Sequence, residues 1–160
     1  MTNEIAGIEA ALITGDLSKL SPQQRMSYYK QICDTVGLNP LTKPFDYLVL
    51  NGKLVLYANK NCTQQLASIR SISFTDCRPT QLGDLYTVTI SGSDKSGRVD
   101  TEMAAVDVKG LSGERLANAM MKCMTKAKRR LILSLCSLGI LDESEVETIE
   151  GAKKIPTPQI

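Results

Sequence analysis

The sequence contains no histidine and no tryptophan, and each absence excludes a class of function. Without histidine, neither a nucleophile–histidine pair nor an ordinary zinc site is expected. The sequence also lacks a GxxxxGK[ST] phosphate-binding loop, which argues against nucleotide hydrolysis. With only two phenylalanines and five tyrosines, the core is predicted to be aliphatic and stacking platforms for bases are few. We therefore expect neither an enzyme nor a metal or cofactor site.

Cysteine pairs and membrane signals are missing as well. The five cysteines show no CxxC spacing, and there is neither an N-terminal signal pattern nor an apolar run of transmembrane length. We interpret the cysteines as reduced, mostly buried side chains. These features predict a cytoplasmic protein without a membrane partner.

The order of apolar periodicities and turn residues predicts an α+β protein. Its expected architecture is an antiparallel sheet with a β-hairpin, packed against a long C-terminal amphipathic helix and shorter helices. Residues 1–150 are predicted to form one domain with a helical arm over 1–20, and 151–160 a flexible tail. Helices are expected over Glu4–Ile13, Ser21–Val36, Lys60–Ile69 (capped by Asn59 or Asn61) and Glu114–Leu138, and further strands over Ser71–Cys77, Leu85–Ser91 and Arg98–Val108.

The clearest local signal is a hairpin over Phe45–Tyr57. Its two apolar runs are joined by Asn51-Gly52, a dipeptide that favours a type I′ turn and pairs Leu50 with Lys53. Both faces of this hairpin are largely apolar, so we expect it to lie within a sheet that is covered on both sides.

The net charge of +2 conceals a strong asymmetry. Between Lys109 and Arg130 there are seven basic residues and one acid, Glu114, whereas Asp142–Glu150 contains five acids and no base. Surface helices usually mix the two signs, because Glu–Lys pairs four residues apart stabilise them. The asymmetry therefore predicts a polyanionic partner for the basic helix, over the alternative of a merely solvated face.

A helical wheel at 100° per residue places most of these cations together. Lys122, Lys126 and Arg129 fall within about 40° of Arg115, and Arg130 within about 60°. The opposite side, predicted to pack on the sheet, carries Leu116, Met120, Cys123, Met124, Ala127, Leu131, Leu135 and Leu138. Lys128 points toward that apolar side, where it must extend to solvent or pair. The acids of Asp142–Glu147 are expected to face solvent.

Two stretches carry a resemblance to a known family. The run CDTVGLNPLTK (Cys33–Lys43), leading into a hairpin with Gly52-Lys53 and a helix ending near Ser71, resembles the RecT/Redβ group of phage single-strand annealing proteins. The run TKAKRRLILSLCSLGILDESEVE (Thr125–Glu147) is similar to the closing helix of small phage recombination proteins of the same superfamily, which includes Erf.

The resemblance implies ATP-independent binding and annealing of single-stranded DNA in phage homologous recombination, by a homo-oligomeric ring or helical filament in the bacterial host cytoplasm. It also implies a companion exonuclease or a host single-strand binding protein as partners. Longer family members make those contacts through a C-terminal helical portion that has no counterpart after Pro156. The residues expected to contact DNA are Lys43, Lys53, Lys60, Arg115, Lys122, Lys126, Arg129 and Arg130.

Two alternatives use the same basic helix. The first is an accessory replication protein that protects single strands without annealing them. The second is a protein–protein adaptor whose basic helix docks on an acidic partner.

Overall fold

The computed structural model describes residues 2–155, with side chains from residue 7 onward. Its helices are α1 (Thr2–Thr14), α2 (Pro22–Val36), α3 (Lys60–Ile69), α4 (Gly113–Leu135) and α5 (Glu143–Val146), with a 3₁₀ turn at Pro40–Thr42. Its strands are β1 (Phe45–Leu50), β2 (Lys53–Ala58), β3 (Ser73–Leu82), β4 (Leu85–Ser93), β5 (Val99–Asp107) and β6 (Lys153–Ile155). No helix in this part of the chain is long and apolar enough to cross a bilayer.

The predicted α+β class is confirmed, but the strands form two sheets. The hairpin β1–β2 and the late strand β6 make one antiparallel sheet in the order β2-β1-β6. The three middle strands make the other, in the order β3-β4-β5. Strand β6 lies within the predicted flexible tail and pairs with β1, with Leu48 opposite Lys154. Residues 156–160 of that tail lie outside the described part of the chain.

Local chemistry accounts for where α2 begins and ends. The Ser21 hydroxyl accepts a hydrogen bond from Gln24 N at 3.1 Å, and the Gln24 side chain accepts one from Ser21 N at 2.9 Å. This capping box satisfies amide groups that have no partner within the helix. At the other end, Gly37 adopts a φ of 80°, which ends the helix at low steric cost.

The predicted hairpin register is confirmed, with Leu50 opposite Lys53. Asn51 and Gly52 have φ values of 52° and 76°, the two positive values that a type I′ turn requires. Asn59 is the residue that caps α3, since its side chain accepts a hydrogen bond from Cys62 N at 3.2 Å. The hairpin is covered on both sides as expected: Tyr47 and Leu56 belong to the main core, whereas Leu48 and Tyr57 pack with Val146.

Two large apolar cores meet along α4. The first lies between the β2-β1-β6 sheet and helices α2 and α3, and the second between the β3-β4-β5 sheet and α4. Ile132 and Leu133 extend from α4 into the first core, while Leu131 and Leu135 pack in the second. The expected burial of cysteine is confirmed for four of the five, and Cys77 is exposed. Burial raises the pKa of the Cys62 thiol to about 12 and so keeps it protonated.

The helix α4 is shorter than predicted. It ends at Leu135 rather than near Leu138, and Ser137, just after this end, adopts a left-handed φ of 58°. Arg98 holds this end by donating hydrogen bonds to Leu135 O at 3.3 Å and Ser137 Oγ at 2.8 Å. A basic side chain on the free carbonyls at a helix C-terminus is favourable.

Gly92 in β4 packs closely against both β3 and α4. A Cβ at this position would lie 2.6 Å from Ser73 O and 2.9 Å from Leu131 Cδ2. We expect Gly92→Ala to destabilise the fold by about 1–3 kcal/mol, because one strand or the helix must move. Urea unfolding followed by circular dichroism measures this loss.

The matched control is Gly139→Ala, where a Cβ would meet no described atom within 4 Å. Its midpoint should stay close to that of the unmodified protein. Equal midpoints for the two variants would contradict the importance of the close approach at Gly92.

Candidate nucleic-acid interface

The cations of α4 lie beside its buried face, not opposite to it. The buried row of this helix consists of Ala119, Cys123, Ala127, Leu131 and Leu135. On the wheel this row is centred about 90–120° from Arg115, so the cationic side of the helix is a flank of the packed face. Met120, expected in the core, is 37% exposed. The cationic side chains therefore extend along a groove rather than from a convex surface.

We call this depression the α4 groove; its volume is about 690 Å³. The flank of α4 forms one wall, the edge of β5 contributes Ala105 and Val106, and the turn containing α5 forms the other wall. Its lining residues are Ala105, Val106, Asn118, Met121, Lys122, Cys123, Thr125, Lys126, Arg129, Glu143, Ser144, Glu147 and Thr148. The lining thus combines cations, neutral hydrogen-bonding groups and two carboxylates, and it contains no aromatic ring.

Lys122 and Lys126 are the available cations of the groove. Lys122 is exposed and Lys126 half-buried, and neither forms an ion pair with a side chain that the structure describes. Arg115 is exposed about two turns before Lys122 and lines a neighbouring hollow together with it. These three side chains form a continuous row along α4.

The two arginines at positions 129 and 130 are engaged by acids. Arg130 Nη1 donates to Glu145 Oε2 at 2.8 Å, and its Nη2 lies 3.3 Å from Glu102 Oε2. Arg129 Nη1 lies 3.8 Å from Asp142 Oδ2, and the Asp142 side chain is completely buried. The expectation that Asp142–Glu147 faces solvent is therefore wrong for Asp142 and Glu145.

A capping box explains why this acidic turn folds back. Asp142 Oδ2 accepts a hydrogen bond from Ser144 N at 2.8 Å, and Glu145 Oε1 accepts one from Asp142 N at 3.3 Å. The pattern Asp-x-x-Glu is a recognisable signature of a helix start, so α5 could have been predicted from the sequence. Its contact with α4 could not, because that contact depends on the tertiary fold.

The three remaining residues predicted to contact DNA lie at two different places in the fold. Lys60 begins α3, and its backbone N donates to Glu143 Oε2 at 3.2 Å, so it lies next to the α4 groove. Lys43 is adjacent, since its carbonyl accepts a hydrogen bond from Asn59 Nδ2 at 2.6 Å. Lys53 begins β2 at the hairpin turn, about 17 Å along the strand from Ala58. It lies apart from the other seven.

Lys128 is confirmed as the exception on the helix. It is exposed on the other flank of α4, where its Nζ lies 5.4 Å from the centroid of the Phe74 ring. This cation–π contact with β3 is the pairing that its position on the wheel required. Tyr47 and Tyr57, by contrast, are both buried and offer no stacking surface.

Known proteins supply no further assignment for this arrangement. No family model, curated protein or solved structure matches the chain.

Asp142 gives the site a pH-dependent stability. Burial raises the pKa of its carboxyl above the ordinary value of 3.8, although the hydrogen bonds from Ser144 and the charge of Arg129 oppose the shift. The stabilising contribution of the protonated form is complete below pH 3.8 and is lost as the pH rises through the raised pKa. The ionised carboxylate is therefore a cost to the fold at neutral pH.

We expect Asp142→Asn to be more resistant to urea than the unmodified protein at neutral pH, because an amide keeps the capping oxygen without the buried charge. The difference should shrink in acid, where the carboxyl is protonated in both states. Urea unfolding at a series of pH values tests this, with the exposed Glu150→Gln as the control for net charge. A lower stability at neutral pH would show instead that the attraction to Arg129 outweighs burial.

Proposed function

We propose that this protein binds single-stranded DNA through its phosphates in the α4 groove and anneals complementary strands without nucleotide hydrolysis. The observation that carries the proposal is the row of Arg115, Lys122 and Lys126 along an open groove, free of ion pairs within the described chain. Cations left without partners repel one another until an anion neutralises them. A phosphate backbone supplies such anions at regular intervals.

The shape of the groove favours a single strand over a duplex. A helix with its side chains is about 10–12 Å across, close to the width of the DNA major groove, about 12 Å. With the α5 turn beside it, the cationic flank of α4 is too wide to enter that groove. A flexible single strand can instead follow the α4 groove, which is open to solvent.

The polar lining supports binding that is independent of base sequence. Asn118, Thr125, Ser144 and Thr148 are hydrogen-bonding groups suited to phosphate or sugar oxygens. Because no aromatic side chain lines the groove, bases are not required to stack there and their pairing edges can stay free. This is the condition that annealing needs.

The annealing step and the homo-oligomer rest on the resemblance of Cys33–Lys43 and Thr125–Glu147 to phage annealing proteins. The turn Asn39–Lys43 at the centre of that resemblance is held rigidly: Asn39 Oδ1 accepts from Leu41 N at 3.0 Å, and Lys43 adopts a φ of 51°. The Lys43 carbonyl accepts a hydrogen bond from Asn59, next to Lys60, and we propose that these two lysines extend the cationic row beyond α4. We propose a phage-type recombination protein that acts as several copies in the host cytoplasm.

The first test neutralises the row and compares it with the opposite flank. The double variant Lys122→Gln with Lys126→Gln should bind a fluorescein-labelled oligothymidine at least about tenfold more weakly, since two counterion-releasing contacts are lost. The slope of log affinity against log salt should fall by about 1.4, or about 0.7 per lysine. Fluorescence anisotropy across a salt series measures both quantities.

The control is Lys128→Gln, which removes one charge from the same helix on the side of Phe74. We expect the salt slope of this variant to match that of the unmodified protein. A double variant with an unchanged slope would rule out the α4 groove as the phosphate site.

The second test separates annealing from protection. Two complementary oligonucleotides carrying a donor and an acceptor dye should pair faster in the presence of this protein, because neutralised phosphates repel one another less. The Lys122→Gln, Lys126→Gln protein should lose that acceleration. Slower pairing with the unmodified protein would identify a single-strand protector instead.

A further inference from the structure

We propose that Glu143 and Glu145 act as a built-in competitor of the DNA backbone, holding two anion positions that phosphates take when a single strand binds. This inference rests on the function proposed above and goes beyond it, because it assigns a regulatory role to the acidic turn.

The contacts place each carboxylate where a phosphate would bind. Glu145 accepts a hydrogen bond from the guanidinium of Arg130 at 2.8 Å. Glu143 accepts one at 3.2 Å from Lys60 N, in the first turn of α3. Guanidinium groups and helix N-termini are both sites that proteins use to bind phosphate. Both carboxylates are half-buried. Glu143 lines the α4 groove with Lys122 and Lys126, whereas Glu145 and Arg130 line a separate hollow of about 290 Å³ on the other side of α5.

Glu145 is not needed to neutralise Arg130. Glu102, which belongs to β5, already lies 3.3 Å from the same guanidinium. Two carboxylates thus contact one cation, and the charge of Arg130 can be balanced without Glu145. When a phosphate replaces Glu145, Arg130 keeps its contact with the sheet and stays in place.

The acidic turn is also attached separately from the two large cores. Val146 is the buried apolar residue of α5, and it packs in a small cluster with Leu48 and Tyr57. Local changes in such a satellite cluster cost less than changes in a main core. Asp142, which is completely buried, keeps its hydrogen bond from Ser144 N when the Glu145 side chain leaves, so the start of α5 loses only the half of its capping box that Glu145 supplies.

Removing the competing charge should strengthen binding. We expect Glu145→Gln to bind the labelled oligothymidine about two- to fivefold more tightly, the range for loss of a partly exposed ion pair. The matched control is Glu150→Gln, which changes the net charge equally but lies outside the ion pairs of the described chain. Its affinity should stay within the error of the unmodified protein at physiological salt, where exposed charges are screened beyond about 8 Å.

A double-variant cycle assigns the effect to one contact. In the background of Arg130→Gln, the substitution Glu145→Gln should no longer improve affinity, because the cation for which it competes is gone. Circular dichroism and urea unfolding establish that each variant is folded.

The outcomes are distinct. Three outcomes would each overturn the proposal that these glutamates compete with phosphate. They are equal effects of Glu145→Gln and Glu150→Gln, weaker binding by Glu145→Gln, and a gain in affinity that persists without Arg130. If neither protein binds, the proposed function fails and the competitor fails with it.

Discussion

The packing of the last two turns of α4 between both sheets is the constraint on which the rest of the structure depends. Leu131 and Leu135 fill the core under β3-β4-β5, while Ile132 and Leu133 reach the core of the hairpin sheet. Burying these four side chains contributes on the order of 6–12 kcal/mol before entropy is counted. That is comparable with the net stability of a whole domain, so the two halves of the chain are joined mainly through one helix segment.

This constraint determines where the cations are. A helix buried on two sides at its C-terminal end can expose charge there only along the flank that remains, and Arg129 and Arg130 lie at the edge of that flank. They are therefore close enough to acids on β5 and in the α5 turn to form ion pairs. Lys122 and Lys126 lie one to two turns earlier and form no ion pair with the acids that the structure describes, so they remain open to a ligand. The division between engaged and available cations follows from helix geometry rather than from charge alone.

The sequence predicted local structure well and long-range contacts poorly, for a physical reason. Residues close in the chain determine the type I′ turn at Asn51-Gly52 and the α2 cap at Ser21. The hairpin register and the start of the helix could therefore be predicted from the sequence. The pairing of Lys153–Ile155 with β1 and the contact of Glu145 with Arg130 join distant segments, and no local pattern encodes them. The wheel placed the cations opposite the core because it weighted Met120 as a buried residue. It could not show the acids from elsewhere in the fold, which hold Arg130 in a separate hollow.

The same acids change how the charge asymmetry should be understood. Taken along the sequence, a basic helix and an acidic segment are two separate regions; in the fold they face each other across the α4 groove. The ion pairs between these two regions stabilise the protein when no ligand is bound. The same ion pairs weaken its affinity for any polyanion. Under the proposed function, a strand must therefore gain more from Lys122, Lys126 and Arg115 than it loses in displacing Glu143 from the groove and Glu145 from Arg130 beside it. Under the proposed function this balance sets a threshold, which a strand that contacts the whole row exceeds and an isolated phosphate does not.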